Sequence, residues 1–265
     1  MSSKINHVAI MSGNYALESK FYEAIFGMRG SPKARPARAV SIGDGYVGLN
    51  INPRRAGRPG RLDHFGIQVD DLEATTALMR QKYPEIEILK RPSTRPFAAL
   101  STHDPDGNVF DLTQAKGNNL KDVYTHNDWQ SPRAISHIGI RTLNPEACAE
   151  FYAAMFGLKP ANLPIPDAHG VTDGRVTIIL MPWRIKDYAN TATVGPGMEY
   201  IGFKVDDLAA LKDDIRKVGD GNPLLSPSPV GTGAEGKVRL DLLERNSLGS
   251  WHTADPDGIF LDIVS

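Results

Sequence analysis

Short β-branched runs alternate along this chain with apolar stripes at helical spacing. His7-Val8-Ala9-Ile10 reads as a strand, and Leu17, Phe21 and Ile25 then recur at steps of four, one face of a helix. Ser12 or Asn14 offers the N-cap and Gly27 the stop. A strand from His64 to Val69 leads into a second helix over Leu72 to Lys82, capped by Asp70 or Asp71. Ala39–Ile42, Tyr46–Ile51, Ile86–Leu89, Phe97–Ser101 and Val109–Thr113 read as further short strands. Asp104-Pro105-Asp106-Gly107 has the residues of a type I turn and should join two adjacent strands.

The same pattern then returns. Ile5-Asn6-His7-Val8-Ala9-Ile10 and Phe21-Tyr22 to Phe26-Gly27-Met28 are answered 130 residues later by Ile135-Ser136-His137-Ile138-Gly139-Ile140 and Phe151-Tyr152 to Phe156-Gly157-Leu158. His64-Phe65-Gly66-Ile67-Gln68-Val69-Asp70-Asp71-Leu72 is answered at an offset of 136 by Tyr200-Ile201-Gly202-Phe203-Lys204-Val205-Asp206-Asp207-Leu208. The Asp104 turn is answered at an offset of 151 by Asp255-Pro256-Asp257-Gly258. Order is kept while the offset grows, so insertions fall in the loops of the second copy. Two homologous halves follow, 1–115 and 134–265, joined by a linker over 116–133 that has no periodicity. Each half divides again into two units of strand, helix and three strands. In the third unit Asn144 is the cap, Pro145 suits the first turn, and Ala147, Phe151 and Met155 repeat the stripe. The fold class is α+β, with helices on one face of each sheet.

Composition narrows the functional classes. Across 265 residues, 30 basic and 31 acidic side chains nearly cancel, which gives no general attraction to nucleic acid or an anionic membrane. The lone Cys148 allows neither an internal disulfide nor a cysteine zinc cluster, and reads as a buried small hydrophobe. No apolar run reaches the length of a membrane-spanning helix, and no signal-peptide core is present, so a cytoplasmic location is expected. There is no phosphate-binding glycine loop and no serine-centred elbow.

The opening His7, the Phe21-Tyr22 to Phe26-Gly27-Met28 run, Asp63-His64-Phe65-Gly66-Ile67 with Val69-Asp70-Asp71-Leu72, and the Asp104-Pro105-Asp106-Gly107-Asn108 turn together resemble the vicinal oxygen chelate superfamily. That group contains glyoxalase I, methylmalonyl-CoA epimerase, type I extradiol dioxygenases, and fosfomycin- and bleomycin-resistance proteins. The resemblance implies four βαβββ modules paired into two half-barrels, with a divalent metal held by first strands and last strands. By motif position it assigns His7, His64 and Asp111 as metal ligands. Asp111 departs from the usual Glu and is one methylene shorter. The position of a fourth family ligand falls in Tyr46–Ile51, which has no carboxylate and offers at most the amide of Asn50.

Two imidazoles and one carboxylate are the donor set of non-heme Fe(II) oxygenases, and they leave coordination positions open. Fe(II) is therefore the expected metal, with Mn(II) or Zn(II) as alternatives. In the second half His137 and Asp262 match His7 and Asp111, but Tyr200 replaces His64, so that half is expected to act mainly as scaffold. Extradiol relatives with two domains keep their metal in the C-terminal half, the opposite of the assignment here. Their tyrosine before the Asp-Pro turn is replaced by Ser101 and, in the second half, by His252. His252 and His103 are the candidate acid–base groups; a hydrogen-bonded strand-end or turn histidine is the plainer role for each. Tyr22 and Tyr152 stand in helix stripes and read as core.

Residues 29–61 carry Arg29, Lys33, Arg35, Arg38, Arg54, Arg55, Arg58 and Arg61 against the single acid Asp44. These loops either receive an anionic substrate, meet a second copy of the chain in a homo-oligomer, or are simply solvated. The leading functional expectation is a metal-dependent dioxygenase acting on a small aromatic or enol-type substrate. A lyase or isomerase using metal-stabilised enolate chemistry is the second, and a metal-free small-molecule binding protein the third.

Overall fold

The computed structural model describes residues 3–30, 39–57, 60–92, 98–115, 129–188 and 195–265. Lys33, Arg35, Arg38, Arg58, Phe97 and most of the expected linker lie outside the described residues.

The first half runs β1 (Ser3–Ser12), α1 (Tyr15–Phe26), β2 (Arg29–Gly30), β3 (Val40–Gly43), β4 (Gly48–Pro53), β5 (Arg61–Val69), α2 (Leu72–Lys82), β6 (Leu89–Lys90), β7 (Leu100–His103) and β8 (Val109–Gln114). These strands form one eight-stranded sheet in the order β2-β3-β4-β1-β5-β8-β7-β6. The two modules meet where β1 and β5 pair antiparallel, while β1–β4 and β5–β8 are parallel. The Asp104 turn joins antiparallel β7 and β8.

The second half runs β9 (Ala134–Thr142), α3 (Pro145–Phe156), β10 (Lys159–Ala161), β11 (His169–Thr172), β12 (Thr177–Pro182), α4 (Ile185–Tyr188), β13 (Gly197–Lys204), α5 (Leu208–Gly221), α6 (Gly233–Arg245), β14 (Trp251–Ala254) and β15 (Phe260–Val264). Its seven strands follow the order β10-β11-β12-β9-β13-β15-β14. The fourth module departs from the second in one element. Where the second has edge strand β6, the fourth has a 3-10 turn and α6, which accounts for the late growth of the repeat offset.

The helix starts follow the cap chemistry. Asn14, Asp71, Asn144 and Asp207 each accept a hydrogen bond from a backbone N–H three residues on. Gly27 and Gly157 end α1 and α3 at φ 65 and 64, the left-handed geometry that glycine adopts without a Cβ penalty.

Each half packs its leading helix against the other half's sheet. Phe26 of α1 stacks on Phe203 of β13 with centroids 3.9 Å apart. Tyr152 of α3 lies 5.9 Å from Phe65 of β5 and 5.7 Å from Phe110 of β8. One apolar core therefore runs through both halves, and Cys148 is buried within it. Polar bonds across the contact come in reciprocal pairs. Tyr22 donates to Asp255 and Tyr152 to Asp104; the Ile5 N–H donates to Asp173 and the Ile135 N–H to Asp44. The sheet faces turned away from this core carry the candidate chemistry.

Candidate metal centre

Pairing across three strands assembles the site. His7 on β1 lies beside Gly66 on β5, and Gly66 lies beside Asp111 on β8, so the three share one row on one face. His64 stands two residues before Gly66, on the same face. The glycine is needed here: a Cβ on Gly66 would come within 2.0 Å of the His7 ring. Ligand atoms of His7, His64 and Asp111 all lie within 4.8 Å of one another, and all three residues are buried.

Neighbouring side chains orient each donor. The His7 Nδ1–H donates to Asn6 Oδ1 at 2.8 Å, and the His64 Nδ1–H donates to Asp63 Oδ2 at 2.8 Å. Both Nε2 atoms are thereby directed at the carboxylate, 3.9 and 3.2 Å from Asp111 Oδ2. Ser101 donates to the other carboxylate oxygen, Oδ1. Imidazoles fixed through Nδ1 by an oxygen acceptor are the arrangement that metal-ligating histidines adopt, so these residues fit a divalent cation.

The electrostatics agree with that fit. Burial, reinforced by the charge of His64, drops the His7 pKa to about 3, so its imidazole is neutral. Burial also pulls His64 down, but hydrogen bonds to Asp111 and Asp63 and their charges outweigh it and hold His64 at about 9. Asp111 is raised by burial yet ends at about 2, because the His64 hydrogen bond and the charges of both imidazoles dominate. Without a metal the carboxylate is thus balanced by a proton on His64. A divalent cation would take over that role.

The second half uses the equivalent positions differently. His137 Nε2 sits 2.7 Å from Asp262 Oδ2 and His252 Nε2 3.0 Å from Oδ1. The Leu248 and Gly249 N–H groups also donate to Asp262. Burial favours the neutral acid at Asp262, but these histidine contacts outweigh it and hold its pKa well below the carboxylate range. Tyr200 donates to the Asn246 carbonyl at 2.9 Å, and burial followed by the charge of Asp262 keeps it a phenol.

The fold thus brings His7, His64 and Asp111 together, and it does not bring His103 or His252 to them. His103 contacts the Asp104 carbonyl through Nδ1 and accepts the Glu87 N–H at Nε2. His252 belongs to the other sheet, between Ser247 and Asp262. Asn50 lies on the triad's face, and its Oδ1 accepts from Ser41 Oγ at 2.6 Å. Arg29, from the basic stretch, stacks over Trp129 at 4.0 Å. Sequence reasoning missed Asn6 and Asp63. The available signal was their place immediately before the two histidines.

Residues 4–112 match the family model described as Glyoxalase/Bleomycin resistance protein/Dioxygenase superfamily. This match lies within the N-terminal half. Solved structures extend the likeness to the whole chain. The Mn(II)-bound glyoxalase from Novosphingobium aromaticivorans aligns with TM-score 0.61 at 14% identity, over 98% of this chain and 81% of that one. A mutant of 4-hydroxymandelate synthase from Streptomyces coelicolor aligns with TM-score 0.61 at 17% identity, over 99% and 92%. A variant of homoprotocatechuate 2,3-dioxygenase from B. fuscum aligns with TM-score 0.63 at 13% identity, over 98% and 70%. At such identities these structures establish the fold. No curated protein matches the sequence. Among the described residues, no helix is long and apolar enough to cross a membrane.

Proposed function

We propose that the N-terminal half is an Fe(II)-dependent dioxygenase centre for a small aromatic or enol-type substrate that presents two adjacent oxygens. The observation that carries this reading is the convergence of His7, His64 and Asp111 with both histidines fixed through Nδ1. Bound Fe(II) would supply a Lewis acid and a one-electron redox partner for O₂. The chain's own residues prepare the place. Asn6 and Asp63 hold the Nε2 atoms inward, and Ser101 restrains one carboxylate oxygen so that the other faces the imidazoles. Gly48 and Gly66 flank His7 on the neighbouring strands and keep the surface beside it clear of side chains. Protein ligands from one side leave the remaining positions to substrate and O₂.

Glyoxalase- or epimerase-type enolate chemistry is the second reading, and it needs a base beside the metal. On β4 that place belongs to Asn50, a neutral amide already bonded to Ser41, which favours the oxygenase. The test is anaerobic loading with Fe(II), then O₂ uptake and mass spectrometry of products with a panel of catechols and hydroquinones. Iron near one per chain, with ring-opened product from at least one substrate, is the expected result. Full iron occupancy without O₂ uptake anywhere in the panel would return the site to enolate chemistry. Failure to take up Fe(II), Mn(II) or Zn(II) would reduce it to metal-free binding.

A further inference from the structure

The outward face of the second sheet carries a buried cation, Arg141. Arg141 follows His137 and Gly139 on β9 at steps of two, so all three share that face. Its counterpart 130 residues earlier is Met11. The Arg141 side chain is completely buried. Nε donates to Glu199 Oε2 at 3.1 Å, while Nη1 and Nη2 have no hydrogen-bond partner. A guanidinium carries five N–H donors and does not lose its proton, so two buried terminal amino groups without acceptors form an incomplete site.

Charge and lining indicate what completes it. Glu199 is shared between Arg141 and Arg239, whose Nη2 lies 3.3 Å from Oε1, so two cations meet one carboxylate. Asp262 cannot supply the missing acceptor, because His137, His252 and two backbone N–H groups already occupy it. The surroundings are apolar: Ile179, Met181, Tyr200 and Leu243 form one cluster. The free end of a guanidinium matches the two oxygens of a carboxylate. The two adjacent unpaired amino groups call for a carboxylate, and the cluster calls for an apolar body.

The cover over this face is α6. It contributes Arg239 and Leu243, and its C-cap Asn246 accepts the Tyr200 hydroxyl. At its other end Gly231 and Gly233 hold φ 71 and 68 on either side of Thr232, which makes no side-chain cap bond. Glycines in left-handed geometry at an uncapped helix start make a natural pivot.

We infer that the outward face of the C-terminal sheet, beneath α6, is a second binding site for a small apolar monocarboxylate, received end-on by Nη1 and Nη2 of Arg141 while α6 lifts to admit it. This site is separate from the metal triad and independent of the dioxygenase reading.

The experiment is calorimetric titration of metal-free full-length protein with benzoate, hexanoate, benzamide and inorganic phosphate. It is repeated on Arg141→Met, which borrows the residue at the equivalent place in the first half, and on Arg141→Lys. Benzoate or hexanoate should bind one per chain, benzamide and phosphate at least 10-fold more weakly. Arg141→Met should lose at least 10-fold and Arg141→Lys less. His64→Ala should leave the carboxylate affinity unchanged, and hydrogen exchange over Gly233–Arg245 should slow on binding. Absence of carboxylate binding, equal binding of benzamide, preference for phosphate, or undiminished binding by Arg141→Met would each overturn the assignment. If Arg141→Met fails to fold by circular dichroism, the benzoate-to-benzamide ratio and the exchange of α6 in the native chain decide.

Discussion

Tyr22 donates its hydroxyl to Asp255 at 2.8 Å across the contact between the two halves, 233 positions along the chain. Tyr152 makes the same bond in reverse to Asp104, at 3.0 Å. Both phenols are fully buried. Tyr152→Phe leaves Asp104 with its bonds from Asn108 and the turn backbone, so the loss should be about 1 kcal/mol, read by urea denaturation. A loss beyond about 3 kcal/mol would mean that the turn itself depends on the phenol.

The Tyr22 side of this contact also buries an acid pair. Glu18 shares a side-chain hydrogen bond with Asp255, with Tyr22 and Asp257 close by. Burial first, and then the charge of Asp255, hold Glu18 well above its ordinary range, and burial also raises Asp255 despite the hydrogen bonds it accepts from Glu18, Ile259 and Tyr22. The folded chain therefore keeps a proton that the unfolded chain releases above pH 4.5, and stability falls as pH rises through that window. One retained proton corresponds to about 1.4 kcal/mol per pH unit. Glu18→Gln should melt higher than the parent, by a margin that widens from about pH 5 to about pH 8. A margin that shrinks with pH would show that Glu18 is ionised in the fold.

Gly66→Ala forces a methyl group to within 2.0 Å of the His7 ring. Expected is a loss of metal affinity of at least about tenfold with little change in secondary structure, measured by Mn(II) or Zn(II) titration. Gly202→Ala makes the same collision with His137 and should leave metal affinity intact. Equal losses in both variants would point to general destabilisation.

Asn6→Ala and Asp63→Ala leave the ligands in place and remove what aims them. Each should weaken metal binding by about 10- to 100-fold. His64→Ala should abolish it. Full occupancy in that variant would remove the proposed site.

Tyr200→Phe removes one bond to the Asn246 carbonyl. Stability should drop by about 1 kcal/mol, with metal uptake and turnover unaffected. Complete loss of turnover would move the chemistry into the second half.

The duplicated modules and the helix caps were legible because each rests on short-range pattern: a recurring phrase, an Asn or Asp before a stripe. His7, His64 and Asp111 came from the family resemblance instead, and strand pairing is what brings the three side chains together. Tyr22 and Tyr152 read correctly as core, but their hydroxyl partners lie in the opposite half, which no local window contains. The fourth module was misread in one element. Its loop growth was visible as an offset, whereas the placement of α6 over the sheet depends on Leu243 and Arg239 meeting Glu199 and the apolar cluster. Nothing in the local sequence singles out Arg141. Its meaning depends on which face β9 turns toward α6, and strand pairing decides that.

The reciprocity of the tyrosine–aspartate bonds has an evolutionary corollary. Two identical subunits related by a two-fold axis would make these contacts, each lending its aromatic helix to the other. Joined in one polypeptide, the copies are released from sequence identity while remaining obliged to stay together. One copy can carry two histidines and an aspartate on its outer face while the other has an arginine beneath a helix that the first does not share. Neither could leave, because parting them would strand two phenylalanine-rich helices in water.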